Sequence, residues 1–416
     1  MKKFIYQSTF VTIFKVLSGL STFFLYILFS RYLGPEILGR YELALTLIML
    51  VSTLLSLGLV QYVCVNLSRV GVSEIGGLIT RVNSFYLLYS TIMLAIVGVV
   101  VYFDFIKINL NKYEWTFIFG AAFLFYYRNL FLGILHLTFF PVRYSLVEAS
   151  YPVFVFVFMM VYLFGARDYS LSSMLFVNFL SLLIVALCYA FERPLNSYLF
   201  KKKDYYDFKK IIEESSPWFF ISVLSWLMYS VDKWILQLFW GAYKVGIYSQ
   251  IFKLSSCYNL MLVSLVSIML TPYIYLSLRK DEAITTWNKI KKQVMGLAVI
   301  TFVVLLLDYA IGERVYRLMV GEKYLEGFKY NYLIITNFML TAIIGYFSYI
   351  FIFFNSTKHI QVPLLIGFFL NTTIGIYSTP IIGIYGVIIS TTISQIIMLV
   401  YVIIKAKKML FSQATS

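Results

Sequence analysis

Apolar stretches of about twenty residues, each long enough to cross the hydrocarbon core of a bilayer as a helix, follow one another along this chain. Their bounds are 10–30, 41–65, 83–103, 115–140, 145–164, 171–191, 218–240, 245–271, 294–311, 332–354, 360–380 and 385–404. Of the 416 residues, 61% are hydrophobic and 13% are charged, whereas roughly half and a quarter are usual in a soluble domain. The sequence therefore predicts an all-α, polytopic membrane protein of about twelve transmembrane helices, embedded in the lipid bilayer.

Positive charge is distributed unevenly over the polar segments between these stretches. With the N-terminus placed in the cytoplasm, the cytoplasmic segments hold about twice as many Lys and Arg residues as the opposite side. Both termini are therefore predicted to be cytoplasmic. This topology accounts for the net charge of +15, and no basic stripe interleaved with stacking aromatic residues indicates a nucleic-acid partner.

Two cytoplasmic segments have an amphipathic pattern. Apolar residues recur at helical spacing at 205–212 and again at 283–290, with lysines and glutamates between them. Short helices lying at the headgroup level are one interpretation of this pattern. The alternative is that each segment extends the neighbouring transmembrane helix.

One loop motif occurs twice. The sequence G-x4-G-x-Y runs from Gly34 to Tyr41 after the first stretch and from Gly241 to Tyr248 after the seventh. Six stretches separate the copies, so both copies enter the membrane in the same orientation. We therefore predict a parallel internal repeat, one of the two designs typical of secondary transporters. The predicted divisions are an N-terminal six-helix bundle at 1–200, a cytoplasmic amphipathic linker at 201–217 and a C-terminal six-helix bundle at 218–416.

Three motifs carry a resemblance to a known family. The first is RYLGPEILGRY at 31–41, the second combines Asp232 and Lys233 with VGIY at 245–248, and the third is PIIGIYGV at 380–387. In these motifs the sequence resembles the polysaccharide transporter family, the O-antigen and capsule flippases related to MATE transporters. The motifs are devices for turning between helices, so they indicate a family and not a particular substrate.

The resemblance implies a MATE-like fold, with two six-helix bundles around a central chamber. It also implies a polyprenyl-diphosphate-linked oligosaccharide as the substrate of a flippase in the bacterial inner membrane, serving O-antigen, lipopolysaccharide or capsule biosynthesis. A polysaccharide polymerase and a chain-length regulator are the implied partners. No cofactor is expected.

Four basic residues lie inside the predicted spans: Lys15, Arg128, Lys233 and Lys253. Each charge near the bilayer centre costs about 2.5–3.5 kcal/mol on insertion scales. Such residues are tolerated where they face a wet cavity, pair with a carboxylate, reach the interface or meet an anion. All four are therefore candidates for binding the substrate's diphosphate.

Depth in the membrane distinguishes these candidates. Arg128 lies near the middle of its span, so it binds substrate or ties two helices together. Lys15 is near the start of its span and can also reach the interface. Lys233 and Lys253 flank the turn at Gly241 at similar depth, which fits either one shared site or two lysines reaching the interface.

Two acidic residues are candidates for ion coupling or charge balance, Asp232 and Glu148. Asp232 is adjacent to Lys233, and neighbouring side chains on a helix point about 100° apart. We therefore expect that Asp232 neutralises Lys253 or Lys15 instead of its neighbour Lys233.

Signals of catalysis and metal binding are missing from the sequence. It has no Walker A loop and no H-E-x-x-H, and its two histidines are far apart. No catalytic residue or metal ligand is predicted, and the chain is not expected to be an enzyme.

A MATE-like, cation-coupled exporter of small amphipathic molecules is the alternative function. A membrane glycosyl or acyl transferase would need a catalytic Asp, Glu or His with partners at the end of a span.

Overall fold

The computed structural model describes residues 2–67, 75–102, 110–137, 141–190, 208–264, 266, 270–354, 356 and 358–412, and these residues form helices without any strand. The helices are α1 Lys2–Tyr32, α2 Pro35–Ser56, α3 Leu59–Leu67, α4 Ile75–Tyr102, α5 Lys112–Leu137, α6 Pro141–Val161, α7 Leu171–Ala190, α8 Phe208–Ser264, α9 Thr271–Lys280, α10 Ala283–Leu307, α11 Glu313–Met319, α12 Asn331–Phe353, α13 Lys358–Ile382 and α14 Ile384–Ser412. A 3-10 helix, Glu322–Tyr330, joins α11 to α12.

Within the described ranges, 11 helical segments are long and apolar enough to cross a membrane. One of them, Lys209–Leu260, is 52 residues long and is interrupted at Gly241, whose φ of 72° and ψ of 179° lie outside the helical region. Glycine suits this position because it lacks the Cβ that penalises positive φ. The two arms of α8 correspond to the predicted seventh and eighth spans. The prediction of an all-α, MATE-like fold with about twelve spans is confirmed.

The two amphipathic segments belong to long helices. Residues 208–217 run without interruption into the first arm of α8, and residues 283–290 form the first turns of α10. Both are therefore extensions of the neighbouring spans, the alternative that the sequence left open. The lysines at 201–203, part of the predicted linker, lie outside the described residues.

The second predicted span is divided by a turn at Leu57 and Gly58. Leu57 (φ 44°) and Gly58 (φ 73°) both adopt the left-handed conformation between α2 and α3. A Cβ at Gly58 would lie 2.5 Å from the backbone oxygen of Ser215. Both the conformation and the close approach to α8 require glycine at this position.

Contacts group the chain into two compact units. The N-terminal unit comprises Met1–Leu25 and Leu43–Trp226, and the C-terminal unit comprises Tyr26–Glu42 and Leu227–Ser416. Helices α1 and α2 thus contribute residues to both units, which the division at 1–200 and 218–416 does not anticipate. Those sequence-based boundaries stay a prediction.

Aromatic side chains fill the N-terminal unit. The rings of Tyr86 on α4 and Tyr126 on α5 are stacked with centroids 3.5 Å apart, and both side chains are fully buried. The ring of Phe179 on α7 packs directly against Gly120 on α5. A Cβ added at Gly120 would lie only 2.7 Å from that ring. Because small and aromatic residues alternate, these helices pack closely.

In the C-terminal unit, a core of large apolar residues lies among α10, α12 and α14, with Trp287, Tyr346 and Ile350 buried. The C-terminal half of α10 also carries exposed apolar side chains, with Phe302 61% exposed and Leu307 56% exposed. An extended apolar surface of this kind is suited to contact with lipid chains.

Candidate functional site

The six residues singled out by the sequence are divided between the units. Lys15, Arg128 and Glu148 belong to the N-terminal unit, and Asp232, Lys233 and Lys253 to the C-terminal unit. Lys15 is half-buried on α1.

Arg128, on α5, is held by α6 and by aromatic rings. Its Nη2 donates a hydrogen bond of 3.1 Å to the backbone oxygen of Glu148, and its guanidinium carbon lies 5.3 Å from the ring centroid of Tyr151 and 5.7 Å from that of Phe125. The structure therefore brings Arg128 and Glu148 together. Glu148 Oε2 is buried without a hydrogen-bond partner among the described residues.

Lys233, on the first arm of α8, forms a buried ion pair with Glu42 on α2. The Glu42 carboxylate also accepts a hydrogen bond from the hydroxyl of Tyr26 on α1. The side chain of Glu42 is 1% exposed and that of Lys233 is 10% exposed. Breaking such a pair by removing one partner leaves an uncompensated buried charge.

Lys253, on the second arm of α8, extends the same cluster. Its Nζ lies 5.4 Å from the ring centroid of Tyr26, and its charge acts on the carboxylate of Glu42. Gln250 Nε2 donates a hydrogen bond of 2.8 Å to the backbone oxygen of Tyr26. The structure therefore places both lysines around one tyrosine and one carboxylate.

Asp232 accepts its hydrogen bonds from neutral donors, while the adjacent Lys233 acts on it through its charge. It accepts hydrogen bonds from Asn371 Nδ2 at 2.9 Å, from the Thr391 hydroxyl at 2.9 Å and from the Tyr248 hydroxyl at 3.1 Å. Lys253 and Lys15, the partners expected from the sequence, form no ion pair with Asp232 among the described residues, and their charge balance by Asp232 stays a prediction. The three donor side chains come from α8, α13 and α14.

Asp232 lines a cavity of about 220 Å³ inside the C-terminal unit. Its walls combine apolar residues with Asn259, Asn337, Thr391 and Gln395. Asn259 Oδ1 and Gln395 Oε1 are buried without hydrogen-bond partners among the described residues. At about 30 Å³ for each water in the liquid, the cavity has room for about seven waters. Unpartnered oxygens beside a carboxylate favour a cation or hydrogen-bond donors as its contents.

The two copies of the loop motif contact each other reciprocally. A Cβ on Gly39 would lie 1.8 Å from the backbone oxygen of Ala242, and a Cβ on Gly246 would lie 1.8 Å from that of Pro35. The spacing that carries Gly34 onto Gly241 also carries Pro35 onto Ala242 and Gly39 onto Gly246. The two contacts therefore correspond to each other under the repeat predicted from the sequence.

The sequence reasoning missed Glu42. It follows directly after Tyr41 of the first loop motif, inside the predicted second span. A carboxylate within an apolar stretch was the available signal, because such a residue needs a partner in the membrane. That its partner is Lys233, far away in the sequence, could not be read without the fold.

Residues 5–277, more than half of the chain, match the family described as polysaccharide biosynthesis protein. The chain belongs to this family. The resemblance found in the loop motifs is thereby confirmed, and the chain is a multi-pass membrane protein of the polysaccharide biosynthesis family. No curated protein sequence matches it significantly.

Several solved structures share the fold of this family member. The lipid II flippase MurJ in an inward closed conformation has a TM-score of 0.74 and 16% identity, over 99% of this chain and 91% of that protein. An inward-facing multidrug resistance MATE transporter of the MOP superfamily has a TM-score of 0.68 and 13% identity, over 97% and 96%. A MATE transporter of Vibrio cholerae has a TM-score of 0.59 and 11% identity, over 98% of each chain.

Proposed function

We propose that this protein is a flippase that moves a polyprenyl-diphosphate-linked oligosaccharide across the bacterial inner membrane by alternating access. The observation that carries the proposal is the buried cluster of Lys233 and Lys253 around Tyr26. Lys233 pairs directly with Glu42, Lys253 lies over the ring of Tyr26 without an ion pair to another described residue, and Asp232 acts on Lys233 through its charge. The family match and the fold shared with a lipid II flippase support a substrate of this class.

A diphosphate diester is suited to these cations. It carries roughly two negative charges, and charge-assisted hydrogen bonds are about twice as strong as neutral ones. In this proposal Lys233 and Lys253 bind the diphosphate, and Arg128 and Lys15 contribute to its attraction. Aromatic rings beside Arg128 offer faces on which sugar rings stack.

The cavity beside Asp232 is the proposed site of ion coupling. Asp232 with Thr391, Asn259 and Gln395 presents oxygen atoms to the cavity, and oxygen ligands are those that hard cations prefer. A proton on Asp232 would serve the same purpose. Glu148, whose Oε2 lacks a partner, is the corresponding candidate for charge balance in the N-terminal unit.

Both termini are placed in the cytoplasm in this proposal, as the charge asymmetry of the loops indicates. The oligosaccharide would then be received from cytoplasmic glycosyltransferases and delivered to a polymerase and its chain-length regulator. The protein itself performs no bond-making step in this scheme and is not an enzyme. The product is O-antigen, lipopolysaccharide or capsule.

Reconstitution tests the proposal directly. Purified protein in vesicles should expose a fluorescent polyprenyl-diphosphate-linked oligosaccharide to an external glycosidase, and Arg128→Ala should abolish that exposure. Arg128→Lys should retain part of the activity if charge matters more than the planar fork. The matched control is Arg317→Ala, since Arg317 is 61% exposed and pairs with Glu313 on one helix. If Arg128→Ala flipped the oligosaccharide as fast as the unaltered protein, the assignment of Arg128 to substrate attraction would be contradicted.

The alternative is a MATE-like exporter of small amphipathic molecules, coupled to a cation. The carboxylate-lined cavity and the MATE neighbours favour it. Vesicles that accumulate an organic cation in response to a sodium or proton gradient, but leave the lipid-linked oligosaccharide in place, would support the exporter instead.

A further inference from the structure

We infer that Glu42 is an internal competitor for the anionic headgroup: its carboxylate occupies, in the empty protein, the place that a phosphate of the ligand takes on Lys233. The inference rests on the proposed function, because it takes the diphosphate as the ligand of Lys233. It assigns to Glu42 a role in setting the affinity for the anionic headgroup and the rate of its release.

The first argument is the geometry of the pair. Glu42 is fully buried, and its carboxylate is held both by the ammonium of Lys233 and by the hydroxyl of Tyr26. One ammonium and one phenol around an oxyanion would serve a phosphate oxygen equally well. A diphosphate carries more negative charge than one carboxylate and needs a second positive charge beside it. Lys253, over the ring of Tyr26, supplies that charge.

The second argument is the cost of an unpaired charge. A lysine buried in the membrane requires a counter-ion throughout the transport cycle. Glu42 supplies that counter-ion when the ligand is absent, and the ligand supplies it when bound. The positive charge can therefore remain in place after release of the headgroup.

The third argument is the position of Glu42 in α2. It lies one turn after Gly39, which packs directly on the backbone of α8. Because the pair is buried, an anion reaches Lys233 only when Glu42 leaves it, and the start of α2 must then shift relative to α8. Ligand binding and that shift are thereby linked in one equilibrium.

Competition makes a quantitative prediction. The apparent affinity of a ligand falls by the fraction of protein in which its site is free. Glu42→Gln removes the competing charge, so farnesyl diphosphate should bind about tenfold more tightly to this variant than to the unaltered protein. Because release becomes harder, KM and kcat for flipping in vesicles should both fall. A residue with a purely structural role would lower kcat without lowering KM.

The experiment measures farnesyl diphosphate binding to the full-length protein in nanodiscs by calorimetry, with farnesol as the uncharged probe. Lys233→Gln should bind weakly. The double variant Glu42→Gln/Lys233→Gln carries two neutral amides and should bind as weakly as Lys233→Gln. Glu42→Asp keeps the negative charge on a side chain one methylene shorter, so it should also bind farnesyl diphosphate more tightly than the unaltered protein, and it keeps the test valid if Glu42→Gln fails to fold. Glu326→Gln is the matched control, because it breaks the Lys244–Glu326 pair of 2.7 Å outside this cluster and should leave binding unchanged.

The inference is overturned if Glu42→Gln binds farnesyl diphosphate no more tightly than the unaltered protein, or if farnesol shows the same gain. Failure of the proposed function has a different signature. In that case the unaltered protein does not flip the lipid-linked oligosaccharide at all, whatever the effect of Glu42→Gln on binding.

Discussion

Arg128 in the N-terminal unit and Lys233 in the C-terminal unit are both cations within membrane-spanning helices, but their surroundings differ. Arg128 is half-buried and contacts a backbone oxygen and two aromatic faces. Lys233 is buried against a carboxylate that is itself almost inaccessible. A guanidinium is weakly hydrated and stacks on rings, whereas an ammonium is a compact, strongly hydrated point charge. The two units thus stabilise membrane charge by different chemistry.

The difference predicts which cation the fold needs more. Lys233→Met leaves Glu42 buried and unpaired, and removing one member of a buried pair costs about 3–5 kcal/mol. We expect a large loss of folded protein, measured by thermal unfolding in detergent. The double variant Lys233→Met/Glu42→Met should recover most of that stability, because neither charge remains. If Lys233→Met and the unaltered protein unfolded at the same temperature, the contrast between the two units would not hold.

Arg128→Met should have a smaller effect on stability. It removes a hydrogen bond from a charged donor, of about 1.5–3 kcal/mol, and cation–π contacts of about 0.5–1 kcal/mol, and water at this half-buried position offsets part of both. A decrease of about 1–2 kcal/mol in the free energy of unfolding is expected, with normal abundance in the membrane and loss of surface polysaccharide in cells. A decrease as large as that of Lys233→Met would make Arg128 a structural tie.

Lys15→Gln should have the smallest effect. Lys15 is half-buried and forms no ion pair with another described residue, so its replacement should change the free energy of unfolding by no more than about 0.5 kcal/mol. Flipping in vesicles should fall less than in Arg128→Ala. Unchanged flipping would remove Lys15 from the set of substrate-binding residues.

Much of the fold could be predicted because span length and loop charge are local properties. The shared motif at Gly34 and Gly241 also indicates an internal repeat, which stays a prediction. The break at Leu57 and Gly58 lies inside the predicted span 41–65, and the close approach of Gly58 to the backbone of Ser215 is a contact that the local sequence does not show. The amphipathic segments were ambiguous, because a helix at the headgroup level and an extended span have the same period.

The site was predicted less completely than the fold. The lysines could be identified as unusual charges, but their shared position around Tyr26 depends on contacts between α1 and α8. Asp232 could be recognised as a buried carboxylate, yet its partners Asn371 and Thr391 come from helices more than a hundred residues later in the chain. Nothing in the local sequence marks those two residues as its donors.

The reciprocal contact of the two glycine loops has an evolutionary consequence. Two copies of one surface that meet across a two-fold axis form the isologous interface of a homodimer, in which every contact occurs twice. A fused chain is free of that constraint. The spacing that relates the loops carries Tyr26 onto Lys233 and Glu42 onto Ser249, so the symmetric mate of the ion pair is a tyrosine and a serine. A chain built from such a repeat can hold a single charged pair on one copy only, which a symmetric homodimer of identical chains cannot.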